Sequence, residues 1–120
     1  MTIAEAIARI DAMKPNQYTE AEKRAWLYSL DAQIKCEITD RYGAGTELPD
    51  YGTAASTTEL LVPAPFDRVY EYRLAAEIDR GNGELALYNN DTLLFNAALS
   101  AFRNCYNAEH TIKGSRFRTV

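Results

Sequence analysis

The 120-residue sequence predicts a small all-α domain of four helices, with a long irregular loop between the second and third helices and an extended C-terminal tail. Three observations predict this. Apolar residues recur three and four positions apart over long stretches, and no stretch alternates as a strand would. Two of these stretches open with a capping box, in which a Thr and a Glu three residues on satisfy each other's backbone N–H groups. Pro and Gly fall between the stripes rather than inside them. Together the stripes make about 75 residues helical, far above the one-third of an average domain.

In the first helix, Thr2 and Glu5 form the capping box, Ile3, Ile7 and Ile10 share one stripe, and the pattern ends at Met13. Pro15 disfavours helical geometry at Lys14 and stops it there. The second helix opens with Thr19 and Glu22 and carries Trp26, Leu27, Leu30, Ile34 and Ile38 along one side. It is predicted to end at Tyr42-Gly43, where glycine takes the left-handed conformation that closes a helix.

Residues 43–64 break the rhythm. The run from Gly43 to Gly52 holds three Gly and one Pro, and a small polar run, Thr53 to Thr58, follows. A structureless stretch of this length is uncommon in a compact domain. It is either a plain surface loop or a functional one, and Leu60-Leu61-Val62 either pairs as a short strand or packs down as an anchor. The third helix is traced by Phe66, Val69, Tyr70, Leu74 and Ile78, with Asp67 near its positive end. Gly81-Asn82-Gly83 ends it in a tight turn.

The fourth helix is predicted from Glu84 to Asn107. Leu85, Tyr88, Thr92, Phe95, Leu99, Phe102 and Tyr106 form one stripe, and Leu87, Leu94, Ala98, Ala101 and Cys105 form a second beside it. A helix so broadly apolar needs cover on more than one side, from its own domain or from a neighbouring subunit. Asn89-Asn90-Asp91 interrupts it with poor helix formers, read either as a polar face or as side chains bonded across a contact. Residues 108–120 hold Lys113, Arg116 and Arg118 against Glu109 alone, whereas the first 107 residues carry 10 basic and 16 acidic side chains. The net charge of -4 therefore divides into an acidic body and a basic tail, a pattern that points to an acidic partner for the tail or to a frayed terminus.

Composition excludes several classes. With 47% hydrophobic and 25% charged residues the chain is not disordered, and 6 Gly with 4 Pro exclude a collagen-like one. One domain of this length buries enough surface to fold without metal or disulfide. Cys36 and Cys105 lie in helical patterns and are read as buried free thiols. The start of the chain lacks the pattern of a signal peptide, and no stretch is apolar enough to span a membrane, so a reducing cytoplasm is the expected place of synthesis. The acidic balance counts against a dedicated nucleic-acid binder.

Catalytic chemistry is not visible. His110 is the single histidine; its spacing from Cys105 offers nothing to orient the imidazole for a nucleophile pair. The carboxylates Glu20, Glu22, Glu71, Glu77 and Asp79 are read as solvated helix faces. No phosphate-binding, zincin or nucleophile-elbow motif occurs. The chain is Tyr-rich, with 8 Tyr, 4 Phe and 1 Trp, and tyrosine suits protein interfaces. Tyr70, Tyr72, Tyr88 and Tyr106 fall on different helix faces. An association protein is therefore expected rather than an enzyme, with no catalytic, cofactor or metal residues.

The string Lys14-Pro15-Asn16-Gln17-Tyr18-Thr19-Glu20, followed by Lys23, Trp26-Leu27 and Leu30-Asp31, resembles the opening of small head-tail connector (adaptor) proteins of long-tailed bacteriophages and of prophages of Gram-positive bacteria. Glu59 to Asp67 is similar to that family's middle motif. So are Asn82-Gly83-Glu84, Tyr88 to Asp91, Leu94 to Ala98, and Tyr106-Asn107 to His110. The resemblance covers residues 14–113. Phe102 supplies the bulky aromatic of the pattern, whereas Asn107 to His110 lacks its Arg.

The resemblance implies a structural virion protein at the head-tail junction, present in the host cytoplasm during assembly. It implies a ring of about a dozen copies beneath the portal protein, joined to head-completion or tail proteins, with DNA passing through the channel and no membrane partner. A small helical DNA-associated or regulatory protein of phage origin is the alternative. The candidate subunit or portal interface comprises Tyr70, Tyr88, Asn90, Phe95, Phe102, Tyr106, Lys113, Arg116 and Arg118. Loop 43–64 is expected to line the channel or lap a neighbour. The basic tail is expected to dock on the portal, as an added strand.

Overall fold

A computed structural model describes residues 1–42 and 47–115, with side chains described for 1–41 and 47–110. The chain is all-α. Helix α1 spans Ile3–Met13, α2 Glu20–Glu37, α3 Arg68–Gly81 and α4 Leu85–Ser115, with a 3-10 turn at Thr39–Tyr42 after α2. Among the described residues there is no strand, only an isolated antiparallel bridge between Thr2 and Glu59.

The local signals act as expected at the first two helix starts. Thr2 and Glu5 make both halves of the capping box, and Thr19 accepts the backbone N–H of Glu22. Ile3, Ile7 and Ile10 then face Leu27, Leu30, Ile34 and Ile38, and α3 adds Val69, Leu74 and Ile78 to the same core. At the far end of α3, Gly83 has φ 74. The absent Cβ of Gly81 makes room for the Tyr18 hydroxyl against the backbone.

Several expectations change. Helix α2 ends at Glu37 rather than at Tyr42-Gly43. Thr39 donates its hydroxyl to the carbonyl of Lys35 (3.3 Å), and the Lys35 ammonium holds Asp40 at 2.9 Å, so side chains compete with the helical ladder and the backbone tightens into a 3-10 turn. Gly43 lies outside the described residues. Asp67 is the N-cap residue of α3 but makes no side-chain cap bond. Helix α4 does not stop at Asn107; it runs on to Ser115, because no proline and no glycine interrupts residues 108–113. The extended tail from residue 108 is therefore helix at least to Ser115, and an added strand there is excluded for 108–115. Residues 116–120 lie outside the described residues. Both cysteines are exposed, not buried: Cys36 points away from the Ile34–Ile38 side of α2, and Cys105 belongs to the second stripe of α4, which the domain leaves uncovered.

Residues 47–67 have no regular structure yet are built into the core. Tyr51, Leu60 and Val62 are buried, so the Leu60-Leu61-Val62 triplet packs down as an anchor. The carbonyls of Ser56 and Thr58 each accept, at 3.0 Å, a backbone N–H at the start of α1, from Ala4 and Ile3. They take the place that water or a side chain fills at an ordinary helix start. The buried Arg24 guanidinium donates to the carbonyls of Tyr51 and Ala54, both at 2.7 Å.

Candidate interaction surface on the long helix

Helix α4 is 31 residues long, about 46 Å at 1.5 Å per residue. Its inner side is fixed by Phe95, Leu99 and Phe102, which enter the core against α3. Among the described residues nothing covers its outer side. Leu85 and Leu93 are each 70% exposed, and Leu87 and Leu94 are also exposed. From Leu85 to Ala108 the charged residues are Asp91, which is buried, and Arg103, which is half-buried. A solvated helix ordinarily shows charge on its outer face. This one shows Leu, Asn, Ala and Ser, and its exposed leucines make it the candidate contact surface.

Two apolar grooves flank this face and share Phe66. One, of about 330 Å³, lies among Leu61, Pro63, Phe66, Phe102, Cys105 and Tyr106. The other, of about 250 Å³, lies among Pro65, Phe66, Tyr72, Leu94, Ala98 and Ala101. A ladder of rings runs along the first. Phe66 meets Phe102 at 5.9 Å, Phe102 meets Tyr106 at 5.7 Å, and Tyr106 stacks on His110 at 3.9 Å. The Tyr106 carbonyl lies 2.8 Å from Nδ1 of His110, so the imidazole is engaged in packing along α4.

The interface residues expected from sequence fall into four groups. Tyr106 and Tyr88 are half-buried and Asn90 is exposed, all on α4. Tyr88 borders a cleft of about 290 Å³ with Arg73, Glu77 and Phe95. Phe95 and Phe102 are buried; Phe95 lies beneath the Arg73 guanidinium at 4.6 Å, and Phe102 forms the floor of the first groove. Tyr70 is a correction: it is 0% exposed and has no surface to offer a partner. Its stripe on α3 faces the core because a buried acceptor awaits its hydroxyl. Lys113 lies within α4 but its side chain, like Arg116 and Arg118, is outside the described residues.

That acceptor is Asp31, which sequence reasoning passed over. Its Oδ1 accepts the Tyr70 hydroxyl at 2.6 Å, and its Oδ2 accepts the Tyr51 hydroxyl at 2.6 Å and the Leu61 N–H at 3.0 Å. The Tyr70 hydroxyl in turn accepts the Val62 N–H at 2.7 Å. Burial pushes the Asp31 carboxyl above its ordinary range, against the three hydrogen bonds that favour its charge. Both tyrosine hydroxyls are pushed up, first by burial and then by Asp31. The signal was present: Asp31 sits among Leu27, Leu30 and Ile34, on the apolar side of its helix, where a carboxylate must be paired.

Asp79 is the second correction. It is buried rather than solvated, and Lys14 grips both its oxygens. The Asn89-Asn90-Asp91 run divides: the two Asn form a polar face, and Asp91 reaches across to α3. Among the described residues no group of three His, Cys, Asp or Glu is placed to hold a metal ion, and no helix is long and apolar enough to cross a membrane. Comparisons with protein-family models, with curated proteins and with solved structures find no match.

Proposed function

We propose that this chain is a small head-tail connector: a structural subunit that assembles with copies of itself into a ring beneath a phage portal and receives head-completion or tail proteins. The observation that carries the reading is the uncharged, apolar outer face of α4 with its two flanking grooves. A ring subunit joins its neighbour through two different surfaces that repeat head to tail. Protruding Leu85, Leu87 and Leu93 supply one kind of surface, and the grooves around Phe66, one of them lined by Leu94, supply the other. The acidic body suits a channel through which DNA moves, since phosphate contacts would retain it. In this reading the protein resides at the head-tail junction of the virion, after assembly in the host cytoplasm, and has no catalytic role.

The test is assembly state. Light scattering and negative-stain images of the purified chain, alone and with portal protein, are expected to show rings or portal-bound oligomers. The double variant Leu94→Asp, Ala101→Glu is expected to abolish them while far-ultraviolet circular dichroism stays helical. A chain that remains monomeric and ignores the portal overturns the reading. The alternative, a DNA-associated helical protein, calls for a basic helix face; Arg103 is the lone basic residue of α4 between Leu85 and Ala108. Salt-sensitive retardation of DNA in a gel would favour it.

A further inference from the structure

We propose that Asp79 and Asp91 share one proton, and that this proton, with Lys14 clamped beside it, is a pH-sensitive fastening between the end of α1, the last turns of α3 and the start of α4. The inference does not depend on the connector reading.

Asp79 is 2% exposed and Asp91 9%. They lie on α3 and α4, which pack together, and each carboxyl acts on the titration of the other. An ionised carboxylate carries acceptors alone, so two buried carboxyl groups set against each other can bond only if one of the two holds a proton. Which one follows from the surroundings. The Lys14 ammonium donates to both oxygens of Asp79, at 3.0 and 2.8 Å, and so holds Asp79 in its charged form. Asp91 has no such cation, and its Oδ2 is cut off from solvent with no N–H or O–H of the described residues in reach. A proton on Asp91 turns a buried carboxyl with an orphan oxygen into a donor to Asp79.

The titration of the pair agrees. Burial, and then Asp79, push Asp91 up to about 6 against the pull of Lys14. Burial also acts to raise Asp79, but the bonds from Asp91 and Lys14 outweigh it and hold Asp79 below its usual range. The charged groups acting on Asp91 are thus Asp79 from α3 and Lys14 from the end of α1. Arg80, next to Asp79, is turned to Glu77 at 2.7 Å. On α2, Lys23 is engaged by Asp11 at 2.6 Å. Within α4 the titratable neighbour one turn away is Tyr88.

The sign follows. An unfolded Asp titrates near ~3.9, so between that value and the folded one the native state holds a proton that the unfolded chain has lost. Stability from this group is full below the lower value, falls as pH rises across the window, and is flat above it. Above the window two buried negative charges face one ammonium, and the start of α4 loosens from α3.

The experiment is a carbon-13 carboxyl titration by NMR together with thermal unfolding from pH 4 to 8 at fixed salt. Asp91 is expected to titrate near 6. Its midpoint should fall toward the ordinary range in Asp79→Asn and rise in Lys14→Met. The isosteric Asp91→Asn should remove part of the fall in melting temperature between pH 4 and 6.5. Asp31, also raised by burial, contributes its own pH dependence, so the quantity read is the difference between wild type and Asp91→Asn. Superimposable stability profiles overturn the proposal. So does an Asp91 midpoint near 4 in the wild-type chain, a result that needs no variant to fold.

Discussion

Two regions of this small protein invert the usual link between regularity and integration. Residues 47–67 have no helix and no strand, yet their backbone is held at Arg24, Asp31, Tyr70 and the start of α1. Helix α4 is the longest regular element, yet among the described residues nothing packs on its outer side. Hydrogen-bonded regularity is a property of the local chain, and integration is a property of what lies against it. The irregular segment supplies acceptors and apolar side chains that the helices need. The regular one displays more apolar surface than three short helices can cover.

The contrast can be broken most forcefully at Asp31. Replacing it with Ala leaves two tyrosine hydroxyls and the Leu61 N–H buried without an acceptor. Each buried donor left without its acceptor costs about 1–3 kcal/mol, so the expected loss is about 3 kcal/mol or more, read as a lower urea midpoint. A smaller effect is expected at Arg24→Met, which keeps most of the buried stem but strips the Tyr51 and Ala54 carbonyls of their donor. A loss of about 1.5–3 kcal/mol is expected, with proteolysis between Thr53 and Ser56 accelerating as the segment lifts from α2. The smallest effect on the fold belongs to the other region. Leu93→Gln should leave the melting transition within about 0.5 kcal/mol of wild type, since its side chain touches water already. If the connector reading holds, that same change weakens assembly. A large loss of stability at Leu93 would mean that α4's outer face is covered within the monomer, and the comparison would fail.

The parts of this fold that were legible in sequence were local. The Thr2–Glu5 box and the Ile3, Ile7, Ile10 stripe are decided within one or two turns, and Gly81-Asn82-Gly83 sets its turn by its own conformational freedom. What escaped was decided at long range. The periodicity of α4 revealed two stripes but not which of them the domain would cover, so Cys105 was placed inside and lies outside. Tyr70 looked like an interface residue because its acceptor, Asp31, is on another helix. Asp79 looked solvated because Lys14 and Asp91, its two partners, come from two other elements. The predicted end of α4 at Asn107 follows the last residue of its apolar stripe, where the charge turns basic, although nothing over residues 108–113 opposes helical geometry.

The capping of α1 by Ser56 and Thr58 bears on how fast the molecule forms. Helical proteins ordinarily fold quickly because their contacts join near neighbours in the chain. Here the first turn of α1 is completed by carbonyls about fifty residues away, and that closure must be reached before the turn is secured. A refolding rate below that of a simple helical bundle is the expected consequence. A change that moves these backbone carbonyls, such as Thr57→Pro, should slow refolding if this closure belongs to the nucleus, and should instead speed unfolding if it forms last.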